Sequence, residues 1–296
     1  MRNKNKGLLV IGSILAAAVM TGCGNKQQDT DGAKADSTQV VEETEKNEDE
    51  EAIKLSTKRI TKNIKNNSGE YKLTIDFPES DNEILANAIR EYISESLGST
   101  YGGGEEETKQ GTYSGDLADG EQMAKYYFDI KVKEFSDMYK DMKKEGMPDV
   151  PQLASETEIT RGYETSKVVT FNFSSYEYGG GAHGGSVGSG MTFRKTDGRR
   201  IGWELFSTVK MQSILRNGLK EYFEVKTDEE LENCLSLNSI YNIPLPVTPP
   251  LFTEKGIVVI YQQYEIAAYA AGMPSFTIPY KDARKMLNNT GKELLP

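Results

Sequence analysis

Alternating apolar and polar positions open the main body of the chain. The run from Glu70 to Phe77 has the two-residue period of a half-buried strand, with one face made of Tyr71, Leu73, Ile75 and Phe77. The preceding run, Ile53 to Ile64, is also strand-like. Residues 66–69 between them read Asn-Asn-Ser-Gly, which is turn chemistry. The pattern therefore predicts a β-hairpin.

Helical periodicity follows this hairpin. Pro78 is predicted to stop the second strand, and Ser80 with Glu83 forms a capping box that starts a helix ending near Gly98. Its apolar face is Ile84, Leu85, Ala88, Ile89, Ile93 and Leu97. We expect a long surface loop at 99–120 and a second helix from about 120 to 145. The second helix has a core stripe of Met123, Tyr127, Ile130, Met138 and Met142.

Short strands and helices follow one another irregularly in the second half. The strands are predicted at 157–163, 167–178, 191–194, 201–206, 257–264 and 275–279, and the helices at 211–223, 228–235 and 282–288. Asp197-Gly198 predicts a hairpin turn between two of these strands. This order is not the regular alternation of a doubly wound sheet. The expected fold class is α+β, with antiparallel sheets and packed helices in two intimately associated subdomains.

The N-terminus has a different pattern. Three basic residues among the first six precede an apolar run from Leu8 to Met20. This run is too short to cross about 30 Å of hydrocarbon and is typical of an export signal. The Thr-Gly-Cys that follows resembles the lipobox of bacterial lipoproteins, although Met20 stands where that family usually has Leu. The resemblance implies cleavage before Cys23 and a diacyl anchor on it. An ordinary secretory signal with an incidental cysteine is the alternative.

Composition changes again between residues 24 and 52. Ten acidic side chains, three lysines and only two large aliphatic residues cannot build a core, which predicts an acidic tether. The whole chain has a net charge of −10, of which about −6 remains for the folded part once the signal and tether are set aside. This charge argues against a nucleic-acid partner. The predicted divisions are a signal at 1–22, a tether at 23–52, and folded regions at 53–165 and 166–296.

The single histidine lies in a glycine-rich string, residues 176–185, which reads Tyr-Glu-Tyr-Gly-Gly-Gly-Ala-His-Gly-Gly. Glycines allow close approach of backbone or ligand. Phosphate binding is disfavoured because no Gly-Lys-Ser or Gly-Lys-Thr follows, and zinc binding because one imidazole without paired cysteines cannot supply the ligands. An acid or base role for His183 would need a partner such as Glu177. The structural alternative is a tight bend in which His183 hydrogen-bonds the backbone.

Tyrosines near residues 261–269, together with this string, predict an aromatic groove for glycan or peptide, with half-buried sheet tyrosines as the alternative. The candidate binding residues are Tyr176, Tyr178, Gly180, His183, Tyr264, Glu265 and Tyr269. Cys234 lies in Leu-Glu-Asn-Cys-Leu at 231–235 with no histidine nearby in the sequence, which favours a buried thiol on an apolar helix face over a nucleophile. Residues 184–188 read Gly-Gly-Ser-Val-Gly and have the Gly-x-Ser-x-Gly spacing, but no helix pattern follows them, as a nucleophile elbow requires. We therefore expect no catalytic residue, no metal site and no cofactor.

Several separated strings resemble a known family. They are Tyr-Gly-Gly-Gly-Ala-His-Gly at 178–184, Thr-Phe at 192–193, Gly198, Trp-Glu-Leu-Phe at 203–206, Tyr-Glu-Ile-Ala-Ala-Tyr-Ala-Ala-Gly at 264–272 and Phe-Thr-Ile-Pro at 276–279. In this order they are similar to the C-terminal domain of RsiV-type proteins, a domain of unknown function found in an anti-sigma factor ectodomain and in envelope lipoproteins. Residues 53–165 resemble the N-terminal domain that precedes PdaC-type peptidoglycan deacetylases, mainly in element order and length.

The resemblance implies an α+β fold and a role in the cell envelope. The equivalent RsiV ectodomain binds lysozyme, and the deacetylase relative carries a catalytic domain whose metal would need two histidines, where this sequence has one. We expect a non-catalytic protein anchored by lipid on Cys23 to the cell membrane or outer membrane, facing the periplasm or cell exterior. Its expected partner is a lysozyme-like basic protein or peptidoglycan. An envelope hydrolase or peptidoglycan-modifying accessory enzyme using the His183 loop is the alternative.

Overall fold

A computed structural model describes residues 53–99, 113–147 and 149–296. The described residues after Asp49 form one compact unit. The predicted signal at 1–22, the lipid site at Cys23 and the tether at 23–52 lie outside the described residues. Within the described ranges, no helix has the length and apolar character needed to cross a membrane.

Five strands form the larger sheet in sequence order: β1 (Leu55–Lys65), β2 (Gly69–Ser80), β3 (Leu153–Glu164), β4 (Val168–Tyr178) and β5 (Gly185–Arg194). Neighbouring strands are antiparallel except β2 and β3, which are parallel. A parallel pair needs a crossover, and here two helices supply it. The predicted turn at 66–69 is confirmed, because the Asn66 N–H donates to the Gly69 carbonyl at 2.9 Å.

Two strand boundaries differ from the prediction. Strand β2 continues through Pro78, which pairs with Thr57 of β1. Pairing with β3 ends at Ile75, so no neighbour on that side needs an N–H from Pro78. Strand β5 begins at Gly185 and not near residue 191. An added Cβ at Gly190 would lie 2.5 Å from the Phe171 carbonyl oxygen, so the glycine permits close strand pairing there.

Helices α1 (Glu83–Gly98) and α2 (Gly120–Lys144) pack against this sheet. Their shared core includes Ile75, Leu85, Ile89, Ile93, Met123, Tyr127, Ile159 and Phe171. The predicted capping box is wrong, because β2 extends to Ser80 and Asn82 becomes the N-cap. Its side-chain oxygen accepts from the N–H groups of Ile84 at 3.0 Å and Leu85 at 3.2 Å. The predicted core stripe is confirmed at Met123 and Tyr127, which are buried.

The second half adds a small antiparallel sheet and four helices. The sheet has the order β6 (Leu251–Thr253), β7 (Gly256–Ile260) and β8 (Ser275–Ile278); the helices are α3 (Thr208–Phe223), α4 (Asp228–Glu232), α5 (Tyr280–Ala283) and α6 (Asn289–Glu293). Their core includes Met211, Leu215, Leu219, Phe252, Ile257, Val259, Tyr261 and Ile278. The α+β class with antiparallel sheets and packed helices is therefore confirmed.

The predicted strand at 201–206 is wrong. Only an isolated bridge joins Arg200 to Phe193, and Trp203–Leu205 form a 3-10 turn. The indole N–H of Trp203 donates to the carbonyls of Pro246 at 3.0 Å and Thr248 at 2.9 Å. These contacts come from residues more than 40 positions away, so local alternation could not reveal them.

Other boundaries are shorter than predicted. Strand β7 ends at Ile260 and not at 264, and helix α4 ends at Glu232 and not at 235. Of the helix predicted at 282–288 only the first two residues are helical, as the end of α5, and α6 begins at Asn289. The predicted division between residues 165 and 166 stays a prediction. That point is the turn of the hairpin formed by β3 and β4.

Two buried threonines join the larger sheet to the smaller one. Thr170 of β4 and Thr192 of β5 lie opposite each other, with hydroxyl oxygens 2.9 Å apart and no exposed surface. The Thr170 hydroxyl donates to the Phe252 carbonyl at 2.9 Å, and the Phe252 N–H donates to the Thr192 hydroxyl at 3.1 Å. The backbone of β6 thus finds its partners in side chains of the larger sheet, which fixes how β6 lies on it.

We predict that Thr170→Val lowers the free energy of unfolding by about 1–3 kcal/mol. The change keeps the shape of the side chain but leaves the buried Phe252 carbonyl without its donor. Chemical denaturation measures the effect. Thr61→Val, on the exposed side of edge strand β1, is the matched control and should change stability by no more than about 0.5 kcal/mol. Equal stability of Thr170→Val and wild type would contradict the role of this joint.

Candidate functional site

The glycine-rich string forms the loop between β4 and β5. Gly180 and Gly181 have φ values of +92° and +95°, which glycine adopts without steric cost. The Tyr178 hydroxyl donates to the Gly181 carbonyl at 3.0 Å and closes the bend. An added Cβ at Gly180 would lie 2.9 Å from the end of the Met142 side chain. Tyr178 and Gly180, predicted as binding residues, therefore shape the loop and anchor it near α2.

His183 projects from this loop onto Tyr269. The two rings are stacked, with centroids 3.8 Å apart and planes 20° from parallel. The Gly184 carbonyl accepts from His183 Nδ1 at 3.1 Å and from the Tyr269 hydroxyl at 2.7 Å. Because a carbonyl only accepts, Nδ1 carries the hydrogen in this bond. The structural alternative of a bend with His183 bonded to backbone is confirmed, although the imidazole is exposed and not buried.

Two more exposed tyrosines lie close to this stacked pair. The Tyr264 ring centroid lies 5.6 Å from that of Tyr269. On the other side Tyr176 lies over Gly184, where an added Cβ would come within 2.6 Å of its ring. Tyr176 is 43% exposed and Tyr264 65% exposed. We call Tyr176, His183, Tyr264 and Tyr269 the aromatic platform.

Glutamine side chains hold the segment after β7 against β5. The Gln262 amide accepts from the Gly188 N–H at 3.3 Å and donates to the Gly188 carbonyl at 2.7 Å. Gln263 accepts from the Ser186 N–H at 3.0 Å. These amides occupy the outer edge of β5, where another strand would otherwise pair. They fix the position of Tyr264 relative to the glycine-rich loop.

Glu265, predicted as a binding residue, is a structural acceptor beneath the platform. Its two carboxylate oxygens accept from the N–H groups of Val247 at 2.8 Å and Gln262 at 2.7 Å. It therefore joins the loop at 244–250 to the turn that carries Tyr264. The same loop is held by Tyr261, whose hydroxyl donates to the Pro244 carbonyl at 2.8 Å. Burial raises the pKa of Tyr261, with a smaller effect of the Glu265 charge, so this phenol stays protonated and keeps donating.

The two carboxylates considered as partners of His183 have other partners. Glu177, the suggested partner of His183, instead pairs with Lys131 of α2 at 3.0 Å. Glu265 is occupied by backbone N–H groups, as described above. Among the described residues, no group of three or more His, Cys, Asp or Glu side chains could hold a metal ion. The arrangement therefore offers an aromatic surface with tyrosine hydroxyl groups beside the glycine-rich loop.

A second concavity lies between the C-terminus of α1, the side of α2 and the sheet. It is lined by hydroxyl side chains and by the pair formed by Lys131 and Glu177. Its interior volume of about 40 Å³ has room for a few water molecules but not for a sugar ring. The aromatic platform is the better candidate site.

Sequence reasoning found most of the platform but not its support. Tyr176, His183, Tyr264 and Tyr269 were predicted and are brought together, although 80 or more residues separate the first pair from the second. Gln262, Gln263 and Val247 were missed. In the sequence, Gln262 and Gln263 are marked only by directly preceding Tyr264, and Val247 is not marked at all. Their partners lie on a distant strand or loop, so nothing local marks them.

Comparison with known families agrees with this two-part construction. Residues 64–186 match the model described as Deacetylase PdaC, and residues 208–281 match the model described as a protein of unknown function, DUF3298. The chain combines a PdaC-type region with a DUF3298-type region. These two families indicate a cell-envelope protein. The RsiV-like part of the expectation stays a prediction.

Two solved structures share the fold. A DUF3298 family member from Bacteroides fragilis NCTC 9343 is 21% identical, with a TM-score of 0.61, and the match covers 80% of this chain and 94% of that one. A DUF3298 family protein from Pseudomonas aeruginosa PAO1 is 12% identical, with a TM-score of 0.51, covering 82% and 97%. A search of curated proteins found no match. At these identities the likeness shows the fold alone.

The platform lies where the two matched regions meet. Tyr176 and His183 belong to the PdaC-type region, while Tyr264 and Tyr269 belong to the DUF3298-type region. The Gly184 carbonyl, which accepts from both His183 and Tyr269, is the contact that joins them. The site is therefore complete only when both regions are present and packed together.

Proposed function

We propose that this protein is a non-catalytic binding protein of the cell envelope that recognises cell-wall glycan through the aromatic platform. The observation that carries the proposal is the set of four rings drawn from both matched regions, two of which, His183 and Tyr269, are hydrogen-bonded to the Gly184 carbonyl. Rigid amphipathic rings exposed to solvent are typical of recognition surfaces, because they gain contact area at little entropic cost.

Glycan fits the platform better than a charged ligand does. A sugar ring has an apolar face of C–H groups that packs on an aromatic ring, and hydroxyl groups at its rim that need hydrogen-bond partners. The platform offers aromatic faces and tyrosine hydroxyl groups beside a loop in which Gly181 and Gly185 are exposed. Of the acidic groups near the platform, Glu265 accepts from two backbone N–H groups and Glu177 pairs with Lys131.

A basic protein such as a lysozyme is the second candidate, favoured by the net charge of about −6 on the folded part. This charge would speed encounter with a cationic partner more than it would select one. An enzymatic role for His183 has less support, since Glu177 and Glu265 are both engaged elsewhere. The binding hypothesis is therefore preferred over the hydrolase alternative.

The proposal includes a lipid anchor at Cys23, supported by the sequence that precedes it. We predict that the wild-type chain partitions into the membrane fraction of its host and into the detergent phase, because acylation adds buried hydrocarbon. Cys23→Ser should move it to the soluble fraction, whereas Cys234→Ser, the matched control, should leave it in the membrane. Membrane partitioning of Cys23→Ser equal to wild type would contradict the anchor.

Binding is tested with the unlipidated chain, residues 23–296 carrying Cys23→Ser, and insoluble peptidoglycan. We expect co-sedimentation, and a three- to tenfold weaker affinity for Tyr176→Ala, because one ring contact contributes about 0.5–1.5 kcal/mol. Tyr241→Ala is the control. Like Tyr176, Tyr241 is an exposed tyrosine, but it contacts Arg216 and Asp228 and lies outside the platform.

The outcomes separate the candidates. Retention on immobilised lysozyme without retention on peptidoglycan would replace the glycan proposal by the basic-protein candidate. Retention on neither would refute the proposed function.

A further inference from the structure

Tyr264 has a backbone conformation that tyrosine rarely adopts. Its φ is +67°, in the left-handed region where a side chain with a Cβ meets steric strain. Only one other non-glycine residue in the described ranges has positive φ, Glu224 at +58°. Glu224 is the C-cap of α3, where this conformation is common. Tyr264 is not at the end of a helix but at the third position of the turn formed by residues 262–265, where glycine or asparagine is usual.

The surrounding turn imposes the conformation. The Glu265 carboxylate accepts from the Gln262 N–H, the Glu265 N–H donates to the Gln262 carbonyl at 3.2 Å, and the Gln262 amide is held by Gly188. These bonds fix the backbone on both sides of Tyr264. A glycine or an asparagine would fit the same turn with less strain.

The Tyr264 ring gains little burial in exchange for this strain. It is 65% exposed, and its ring contact within the fold is the tilted one with Tyr269. Beyond it lies Val247, 76% exposed and tied to the same turn through Glu265. The backbone of Tyr264 is strained, neighbouring contacts maintain the strain, and the side chain gains little burial from it. This combination points to a role in recognition.

We propose that Tyr264 is a principal ligand contact of the platform and that the fold holds its ring outward, at the cost of strain, to pack on the bound glycan. This inference rests on the proposed function. The strained turn sets the reach and angle of the ring, while His183 and Tyr269 form the fixed part of the platform behind it.

The test compares Tyr264→Gly, Tyr264→Phe and Glu224→Gly with wild type, all as the unlipidated chain, for peptidoglycan binding and thermal unfolding. Tyr264→Gly should bind about tenfold more weakly, as expected for loss of a central aromatic contact. Its Tm should equal that of wild type or exceed it by about 2–4 °C, because relief of strain offsets the added flexibility of glycine. Tyr264→Phe, which keeps the ring, should bind within about twofold of wild type.

Four other results would overturn the inference, and each has a different meaning. Wild-type affinity for Tyr264→Gly, with weaker binding by Tyr176→Ala, would remove Tyr264 from the site and leave the proposed function standing. A fall in Tm together with lost binding would make the ring a structural element. Weaker binding by Glu224→Gly would show that the affinity lost in Tyr264→Gly comes from added backbone flexibility and not from the missing ring. Absence of wild-type binding would refute the proposed function and this inference together.

Discussion

The hydrogen bonds between the hydroxyls of Thr170 and Thr192 and the backbone of Phe252 set the position of the second half of the molecule on the first. All three residues are fully buried, so each polar group must find its partner within the protein. Phe252 in β6 pairs with Ile257 in β7, and β7 ends one residue before the turn that carries Tyr264. The position of β6 on the threonine pair therefore also sets the position of β7 and of the turn that carries Tyr264.

The same threonine pair belongs to the hairpin whose loop carries His183. Strands β4 and β5 run antiparallel from this pair to the glycine-rich bend, where Glu177 pairs with Gly185. Each half of the platform thus adjoins a pair of strands, β4 with β5 or β6 with β7, and the two pairs meet at the buried threonines. Near the surface, Gln262 and Gln263 add a second attachment along the edge of β5. The threonine contacts in the core and the glutamine contacts near the surface together hold the rings at a fixed spacing, and no ring needs to be buried for this.

Local patterns in the sequence predicted the elements that depend on local physics. Helix α1, the hairpin of β1 and β2 and the buried stripe of α2 follow from periodicity and turn residues. The errors have a common cause: the contacts of Trp203, the extension of β2 to Ser80 and the end of β7 at Ile260 depend on partners or boundaries that only the folded chain provides. The site divides in the same way. Aromatic and glycine residues could be recognised by type, whereas the glutamine amides and the strained turn could not.

The central claim, that glycan binds where the two matched regions meet, is tested most directly by hydrogen exchange of the unlipidated chain with and without soluble peptidoglycan fragments. The account predicts slower exchange in two segments together, residues 183–188 and 262–269, with α2 unchanged as an internal reference. Protection of only one of these segments would contradict a site built from both regions. Protection of neither, under conditions where the fragments bind, would place the binding site elsewhere on the molecule.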